Sequence, residues 1–381
     1  MARTVLITGA TGFLGRNLLD RLLQVSPDDT YLLLVRSHAA ERRIRRRYPL
    51  MEDDQLRIVY GDLRDDRLGL SSSDRRRLCR TVDEIWHVAG STSFHRSDAA
   101  LLRETNVNGT RYLIDLAQQC RHGPPIYFVS TFYVCGITAG SVEEDGLPPC
   151  GRFRNAYERT KWEAEKVLRV WRGPFVVFRP SIVLGHSQTL DPQGERRMMY
   201  GYLLGVACGV HKHLKTHGQS LWAHLQRPEA SPLRVSLRMI GNNQTRKNFV
   251  CVDDVVRILV AVARRAGPAA LGRTFHIVNP KTMVGTAIGR ALERALNVKG
   301  IRYVGDRVER PSELERSVLR WTRPFVPYTI HSDPPASMEN AEQLLGRDAQ
   351  VARMTAERFT RMLRSFVERE LIRRDGRVFH A

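Results

Sequence analysis

The sequence predicts an α/β protein: a doubly wound parallel sheet with a smaller, mostly helical C-terminal lobe. Two observations predict it. Short apolar, β-rich runs alternate with helical periodicity through the first half of the chain, the pattern of strands covered on both faces by crossover helices. Three glycines also stand between the first such run and the first helix.

Residues 4–8 (TVLIT) read as the first strand, and GATGFLG follows at 9–15. Leu14, Leu18, Leu19, Leu22 and Leu23 then recur at helical spacing. The second strand, 31–35, ends at Arg36; the third, 56–60, ends in Gly61-Asp62-Leu63; the fourth, 84–88, ends in Ala89-Gly90. A fifth, 126–130, is followed by Thr131, and a sixth, 175–178, by Arg179-Pro180. Helical patterns fill 101–119 and 156–170. After Gly185 a polar, glycine- and histidine-bearing region without regular pattern is expected up to about residue 237, and the sheet signal returns at 249–252 and 275–278. Met354, Phe359, Met362, Phe366 and Val367 share one face of a C-terminal helix. This order places one domain at 1–185, completed by about 246–280, and a second lobe at 186–245 and 281–381.

A chain of 381 residues with 42% hydrophobic content can bury a full core, and disorder is not indicated. The longest apolar stretch, 198–210, is broken by three glycines and two tyrosines, so no bilayer-spanning segment is expected. Six cysteines (Cys79, Cys120, Cys135, Cys150, Cys208 and Cys251) form no C-x-x-C pair and no metal spacing. Free thiols in a cytoplasmic setting are the expectation, and the N-terminus has no signal-peptide layout. The net charge of +20 comes mostly from arginine, with runs at 42–47 and 75–80. Such a field attracts polyanions, among them a phosphorylated cofactor or an acidic carrier protein. The plain alternative is arginine on solvated helix faces. No motif of nucleic-acid readers accompanies the charge, so no specific nucleic acid is expected.

Gly9, Gly12 and Gly15 suit a turn that brings backbone amides up to a pyrophosphate at a helix N-terminus. Their spacing is G-x-x-G-x-x-G, not the more general G-x-G-x-x-G. At the end of the second strand, where NAD sites carry a carboxylate for the ribose, this chain has Arg36 followed by Ser37. Arginine there suits a 2′-phosphate, so NADPH is the expected cofactor. Asp62 stands where a carboxylate can accept the adenine amine; a strand-end turn residue is the alternative. Tyr157 and Lys161, four residues apart, share one helix face. A nearby ammonium lowers a phenol's pKa and suits it to give a proton to a carbonyl oxygen. Ser130-Thr131 ends the preceding strand at the sheet's carboxyl edge, where a hydroxyl can hold that oxygen.

TGATGFLG, GDL, NVNGT, STFYVCG, YERTK and RPSIVLG, in this order, resemble an extended short-chain dehydrogenase/reductase, a Rossmann-fold family. NAYERTKWEAE at 155–165 is similar to its fatty acyl-CoA reductase and thioester (carboxylic acid) reductase branch, as are FVSTFYVCG, RPSIV, VDDVV at 252–256 and FHIVN at 275–279. The resemblance covers about residues 3–285, and the tail at 323–346 matches loosely. It implies Thr131, Tyr157 and Lys161 as the catalytic set, with Thr131 rather than Ser130 as the active hydroxyl. It implies Gly9, Thr11, Gly12, Phe13, Leu14, Gly15, Arg36, Asp62, Leu63 and Lys161 as cofactor contacts, and Asn106 as a helix-supporting residue. The segment after Gly185 lacks the Gly-Trp element usual in eukaryotic acyl-CoA reductases. The implied reaction is NADPH-dependent reduction of an acyl thioester, on coenzyme A or an acyl carrier protein, to aldehyde or alcohol. The alternative is a ketone, hydroxysteroid or dihydroflavonol-type reductase with the same residues and no leaving group.

His211, His213 and His217 (HKHLKTH) lack an acidic or cysteine partner and read as a solvated basic loop, not a metal site. His87 reads as a packing residue. Arg358, Arg361 and Arg364 oppose the apolar face of the C-terminal helix, which could contact a membrane peripherally, although docking on its own core is the default.

Overall fold

Seven parallel strands make the central sheet of the computed structural model, which describes residues 2–52, 54–227 and 231–372. They are β1 (Thr4–Thr8), β2 (Thr30–Val35), β3 (Leu56–Tyr60), β4 (Glu84–His87), β5 (Ile126–Val129), β6 (Phe175–Pro180) and β7 (Thr274–Ile277). Their spatial order is β7-β6-β5-β4-β1-β2-β3. The chain therefore winds outward one way from β1 and the other way from β4. The crevice between those two strands, at their carboxyl ends, is the switch point where open α/β sheets bind ligands. Continuous apolar runs explain the strands: Val5, Leu6 and Ile7 of β1 are fully buried, as is most of β5 and β6.

The crossover helices are α1 (Phe13–Val25), α2 (His38–Arg47), α3 (Ser72–Thr81), α4 (Ala99–Arg103), α5 (Gly109–Gln119) and α6 (Ala156–Trp171). On one face of the sheet, Leu78 of α3, Leu113 and Leu116 of α5 and Leu168 of α6 pack with Leu6, Ile85, Phe128 and Val177 in one core. A wide, π-type turn at Glu104–Asn108 joins α4 to α5.

The chain forms two compact units, one of residues 1–181, 253–278 and 335–350, the other of 182–252, 279–334 and 351–381. The segment 335–350, read from sequence as part of the second lobe, belongs to the first unit. Glu144 and Thr274 hold it there: the Asn340 amide nitrogen donates to Glu144 Oε2 (2.6 Å) and Asn340 Nδ2 to the Thr274 carbonyl (2.8 Å). The strand signal at 249–252 is real but lies outside the central sheet. Phe249–Cys251 pairs in parallel with Ile182–Leu184, inside the second unit.

Residues 186–237 depart most from expectation. A 19-residue helix, Met198–Thr216, runs where no regular pattern was expected. Gly201, Gly205 and Gly209 look like breakers but fall on one face, against the helix Glu313–Thr322 and its C-terminal extension. A Cβ at Gly209 would lie 2.6 Å from Val318 Cα, and one at Gly201 would lie 3.2 Å from Phe325 Cζ. The glycines thus allow a close helix crossing that outweighs their poor helix propensity. In the same unit, the helix Ala356–Phe366 buries Phe359, Met362, Leu363 and Phe366, with the ring of Phe359 4.8 Å from that of Phe249 and Phe366 stacked on Tyr200 (4.9 Å). Its apolar face is spent on its own core, which leaves no apolar face on it for a bilayer. Among the described residues, no helix is long and apolar enough to cross a membrane.

Gly209→Ala is expected to cost about 1–3 kcal/mol of stability, because the added carbon meets backbone rather than a movable side-chain end. Gly140→Ala, where a Cβ meets nothing within 4 Å, should stay within about 0.5 kcal/mol. Urea unfolding of both variants checks this; equal losses would contradict the close-crossing account.

Candidate active site

The first unit carries the glycine turn. Gly9 has φ +78, a conformation that L side chains rarely adopt, and a Cβ there would lie 2.6 Å from the Ala89 amide nitrogen. A Cβ on Gly15 would lie 2.1 Å from the Gly9 carbonyl oxygen, and the Gly12 amide closes the turn on that same oxygen (2.9 Å). The chain can make this turn only with glycine at 9 and 15. Thr11 and Leu14 are half-buried at the turn and Phe13 is buried. Helix α1 starts with no acidic residue in its first turn and no side-chain cap, so its positive end is left for an anion.

Arg36 stands exposed at the end of β2, and Ser37 caps α2 by accepting from the Ala40 amide (3.3 Å). Asp62 follows β3. Its carboxylate accepts from Arg64 Nη2 (2.7 Å) and from the Arg64 amide (3.0 Å). Arg64, and more weakly the charge of Arg36, hold the Asp62 carboxyl below its ordinary pKa, so it is an ionised acceptor within the field of Arg36. Leu63 is buried against α5, where a Cβ on Gly109 would lie 2.9 Å from Leu63 Cβ. The Gly of NVNGT is therefore a packing requirement. A glycine cradle, an open helix end and an exposed strand-end arginine fit a dinucleotide.

Thr131, Tyr157 and Lys161 lie at the carboxyl edge of the same sheet. Thr131 stands two residues beyond the end of β5, after Ser130, and its Oγ1 accepts from the Tyr133 amide (3.3 Å). Helix α6 is capped by Asn155, whose Oδ1 accepts from the Glu158 amide (3.0 Å). That cap sets where the helix starts and puts Tyr157 and Lys161 on consecutive turns of one face. Tyr157 is 9% exposed and its ring lies 6.0 Å from that of Phe94. Lys161 is buried; its Nζ donates to the Val129 carbonyl (2.8 Å) and sits 4.1 Å from the centre of the Phe128 ring. Burial pushes its ammonium down to about 7, against an upward pull from Glu165. Glu165 is itself buried, which alone would raise its carboxyl. The charge of Arg179 and its two hydrogen bonds, Nε (3.0 Å) and Nη2 (2.7 Å), hold it below the ordinary range instead.

Sequence reasoning passed over two residues here and gave two others too small a part. Glu165, one turn beyond Lys161, and Arg179, an arginine inside an apolar strand, could have been noticed as a buried pair. Asn106 does more than support its helix. It binds the Ser91 backbone through Oδ1 (2.8 Å) and Nδ2 (3.1 Å), and Nδ2 also donates to Thr160 Oγ1 (3.1 Å). His87 is more than a packing residue, since both its ring nitrogens are hydrogen-bonded. The histidines of HKHLKTH lie on and just after the helix Met198–Thr216, not in a loop. The rings of His213 and His217 lie 4.6 Å apart, and no metal-binding group of three side chains occurs among the described residues.

Residues 7–224 match the family model described as male sterility protein. Among curated proteins, the chain is 36% identical over 203 residues to a linear gramicidin synthase of Brevibacillus parabrevis, a match that covers 49% of this chain and 4% of that protein. It is 30% identical over 310 residues to a non-canonical nonribosomal peptide synthetase of Cladobotryum sp, covering 74% of this chain and 26% of that protein. An isonitrile lipopeptide synthase of Streptomyces coeruleorubidus shares 34% over 223 residues, 54% of this chain and 15% of that protein. The chain thus spans only a small part of the length of these relatives. Among solved structures, the terminal R domain from the myxalamid PKS-NRPS pathway matches with a TM-score of 0.71 and 24% identity, over 97% of this chain and 92% of that one. A thiolation-reductase di-domain from an archaeal nonribosomal peptide synthetase matches with a TM-score of 0.64 and 15% identity, over 97% and 76%. These likenesses show the fold.

The buried ammonium gives a signed stability prediction. With a folded value of about 7 against an ordinary 10.5, the cost of charging Lys161 is fully present below pH 7. It fades as the pH climbs toward 10.5, because only the unfolded amine is then still charged. Lys161→Met should therefore raise the urea midpoint at about pH 6, with the gap over wild type narrowing by about pH 9. A gap that stays constant or widens with pH would contradict the burial.

Proposed function

The chain belongs to the male sterility protein family of extended short-chain dehydrogenases/reductases, and on that premise we propose that it is an NADPH-dependent reductase of a carrier-protein-bound acyl thioester. The observation that carries the reading is the grouping of Thr131, Tyr157 and Lys161 at the sheet's carboxyl edge, on a chain whose relatives are peptide synthetases. The match to a thiolation-reductase di-domain supports a carrier protein over free coenzyme A, and the net charge of +20 suits an acidic partner.

Gly9, Gly12, Gly15 and the backbone of Thr11, Phe13 and Leu14 would hold the pyrophosphate, Asp62 and Leu63 the adenine end, and Lys161 the nicotinamide ribose. Bound NADPH supplies the hydride: one thioester, one NADPH and one proton give aldehyde, thiol and NADP⁺. Arg36 selects the phosphorylated cofactor, because an exposed guanidinium in place of a strand-end carboxylate favours a 2′-phosphate over a ribose hydroxyl. Thr131 Oγ1 and the Tyr157 hydroxyl orient the thioester carbonyl oxygen. Tyr157 delivers the proton that oxygen needs as negative charge builds on it. Lys161, shielded from water, stabilises the phenolate left behind. Collapse of the resulting hemithioacetal expels the thiol, and a second round on the aldehyde would yield an alcohol.

The test is incubation with NADPH and a panel of acyl thioesters on carrier protein and on coenzyme A. Cofactor consumption with matching release of free thiol is the expected result; turnover of ketones alone would overturn the reading. Tyr157→Phe should lower turnover by about 100-fold or more and leave NADPH binding nearly unchanged, by steady-state kinetics and fluorescence titration. Arg36→Glu should shift the kcat/KM preference from NADPH toward NADH by about ten- to a hundredfold. Unchanged selectivity would remove Arg36 from cofactor choice.

A further inference from the structure

A line of buried polar side chains connects the glycine turn to the helix bearing Tyr157 and Lys161. Thr8, the residue before Gly9, places Oγ1 2.9 Å from His87 Nδ1, and His87 Nε2 lies 3.1 Å from Thr110 Oγ1. The Thr110 hydroxyl donates to the Asn106 carbonyl at 2.7 Å. The side chain of Asn106 reaches Ser91 on the loop that carries Phe94, and reaches Thr160 Oγ1 at 3.1 Å. Thr160 in turn donates to the Tyr157 carbonyl at 3.0 Å. All of Thr8, His87, Thr110, Asn106 and Thr160 are buried.

The proton positions in this line follow from its donors. Thr110 gives its hydrogen to Asn106, so its oxygen must accept from His87, which puts the ring proton on Nε2. The bare Nδ1 then accepts the Thr8 hydroxyl, and the Thr8 oxygen accepts the Ala89 amide (3.2 Å). Each donor has an acceptor only with a neutral ring protonated at Nε2. A charged ring would be opposed by burial and by the charge of Lys161, which together push its pKa down to about 3. The Phe128 ring, 5.3 Å from His87 and 4.1 Å from the Lys161 ammonium, shares its surroundings with both.

We propose that His87 is a positioning residue of the active site: as a neutral Nε2–H tautomer it ties the glycine turn to Asn106 and, through Asn106 and Thr160, sets the placement of Tyr157 and Lys161. The inference rests on the proposed reductase activity for its kinetic consequence, but not for its tautomer. Misplacement of a catalytic group by a fraction of an ångström lowers the rate of the chemical step more than it weakens binding.

The test compares wild type, His87→Phe and His87→Gln. Phe keeps a ring and loses both hydrogen bonds. Gln restores a donor and an acceptor at nearly the spacing of the two ring nitrogens. His87→Phe is expected to lose about tenfold or more in kcat, with KM for NADPH within about threefold of wild type, and His87→Gln to recover most of the loss. An unchanged kcat in the Phe variant, a loss confined to KM, or a loss matched by the unfolded fraction and not restored by Gln would overturn the proposal. Absence of turnover by wild type on every thioester would instead refute the reductase reading. The positioning claim is then decided by ¹⁵N NMR of the wild-type imidazole. A neutral ring protonated at Nε2 from about pH 5 to pH 8 is expected, and a cationic or Nδ1-protonated ring overturns it.

Discussion

A lysine ammonium held 2.8 Å from a backbone carbonyl and cut off from water is the constraint around which the first unit is organised. Burying that charge is expensive, and the surroundings offset the cost only in part. Val129 gives it one acceptor, the Phe128 ring faces it, and Glu165 pulls its pKa upward from one helical turn away. Glu165 can remain a buried carboxylate chiefly because Arg179 grips both its oxygens. Arg179 is in turn tied to the carbonyls of Glu144 (3.1 Å) and Gly146 (2.8 Å), on the chain between Thr131 and Tyr157. The edge that carries Thr131 and Lys161 is thus supported by a connected set of buried charges whose members depend on one another. An amine poised near neutrality is also what a site that moves protons at physiological pH requires.

The other end of the site follows a different logic. The glycine turn is imposed by backbone collisions rather than by charge, since Gly9 and Gly15 leave no space for a side chain. At the strand ends beyond it, Arg36 remains exposed and Asp62 is paired with Arg64. On the proposed reading, rigid backbone would hold a pyrophosphate and the exposed charge would select among nucleotides.

Much of this was legible in the sequence for physical reasons. Strands buried on both faces are largely apolar, so residues 4–8, 126–130 and 175–178 announced themselves. Tyr157 and Lys161 share a face simply because they are four apart on a helix. What was not legible depended on partners distant in sequence. Glycines at 201, 205 and 209 lower helix propensity locally, and only the helix at 313–322 turns them into a packing surface. Residues 335–350 carry no local sign of which unit they join, because Glu144 decides it through hydrogen bonds. His87 reads as an interior residue in a strand, and its two threonine partners lie 79 and 23 positions away.

The protonation state of the Lys161 amine can be read directly. The chain has seven lysines, few enough for the Lys161 signal to be assigned by its loss in a Lys161→Met variant after ¹³C labelling at Cε. A titration midpoint near 7 is the predicted result, and a midpoint at the ordinary 10.5 would show an amine in open water and contradict the burial on which the site's chemistry depends.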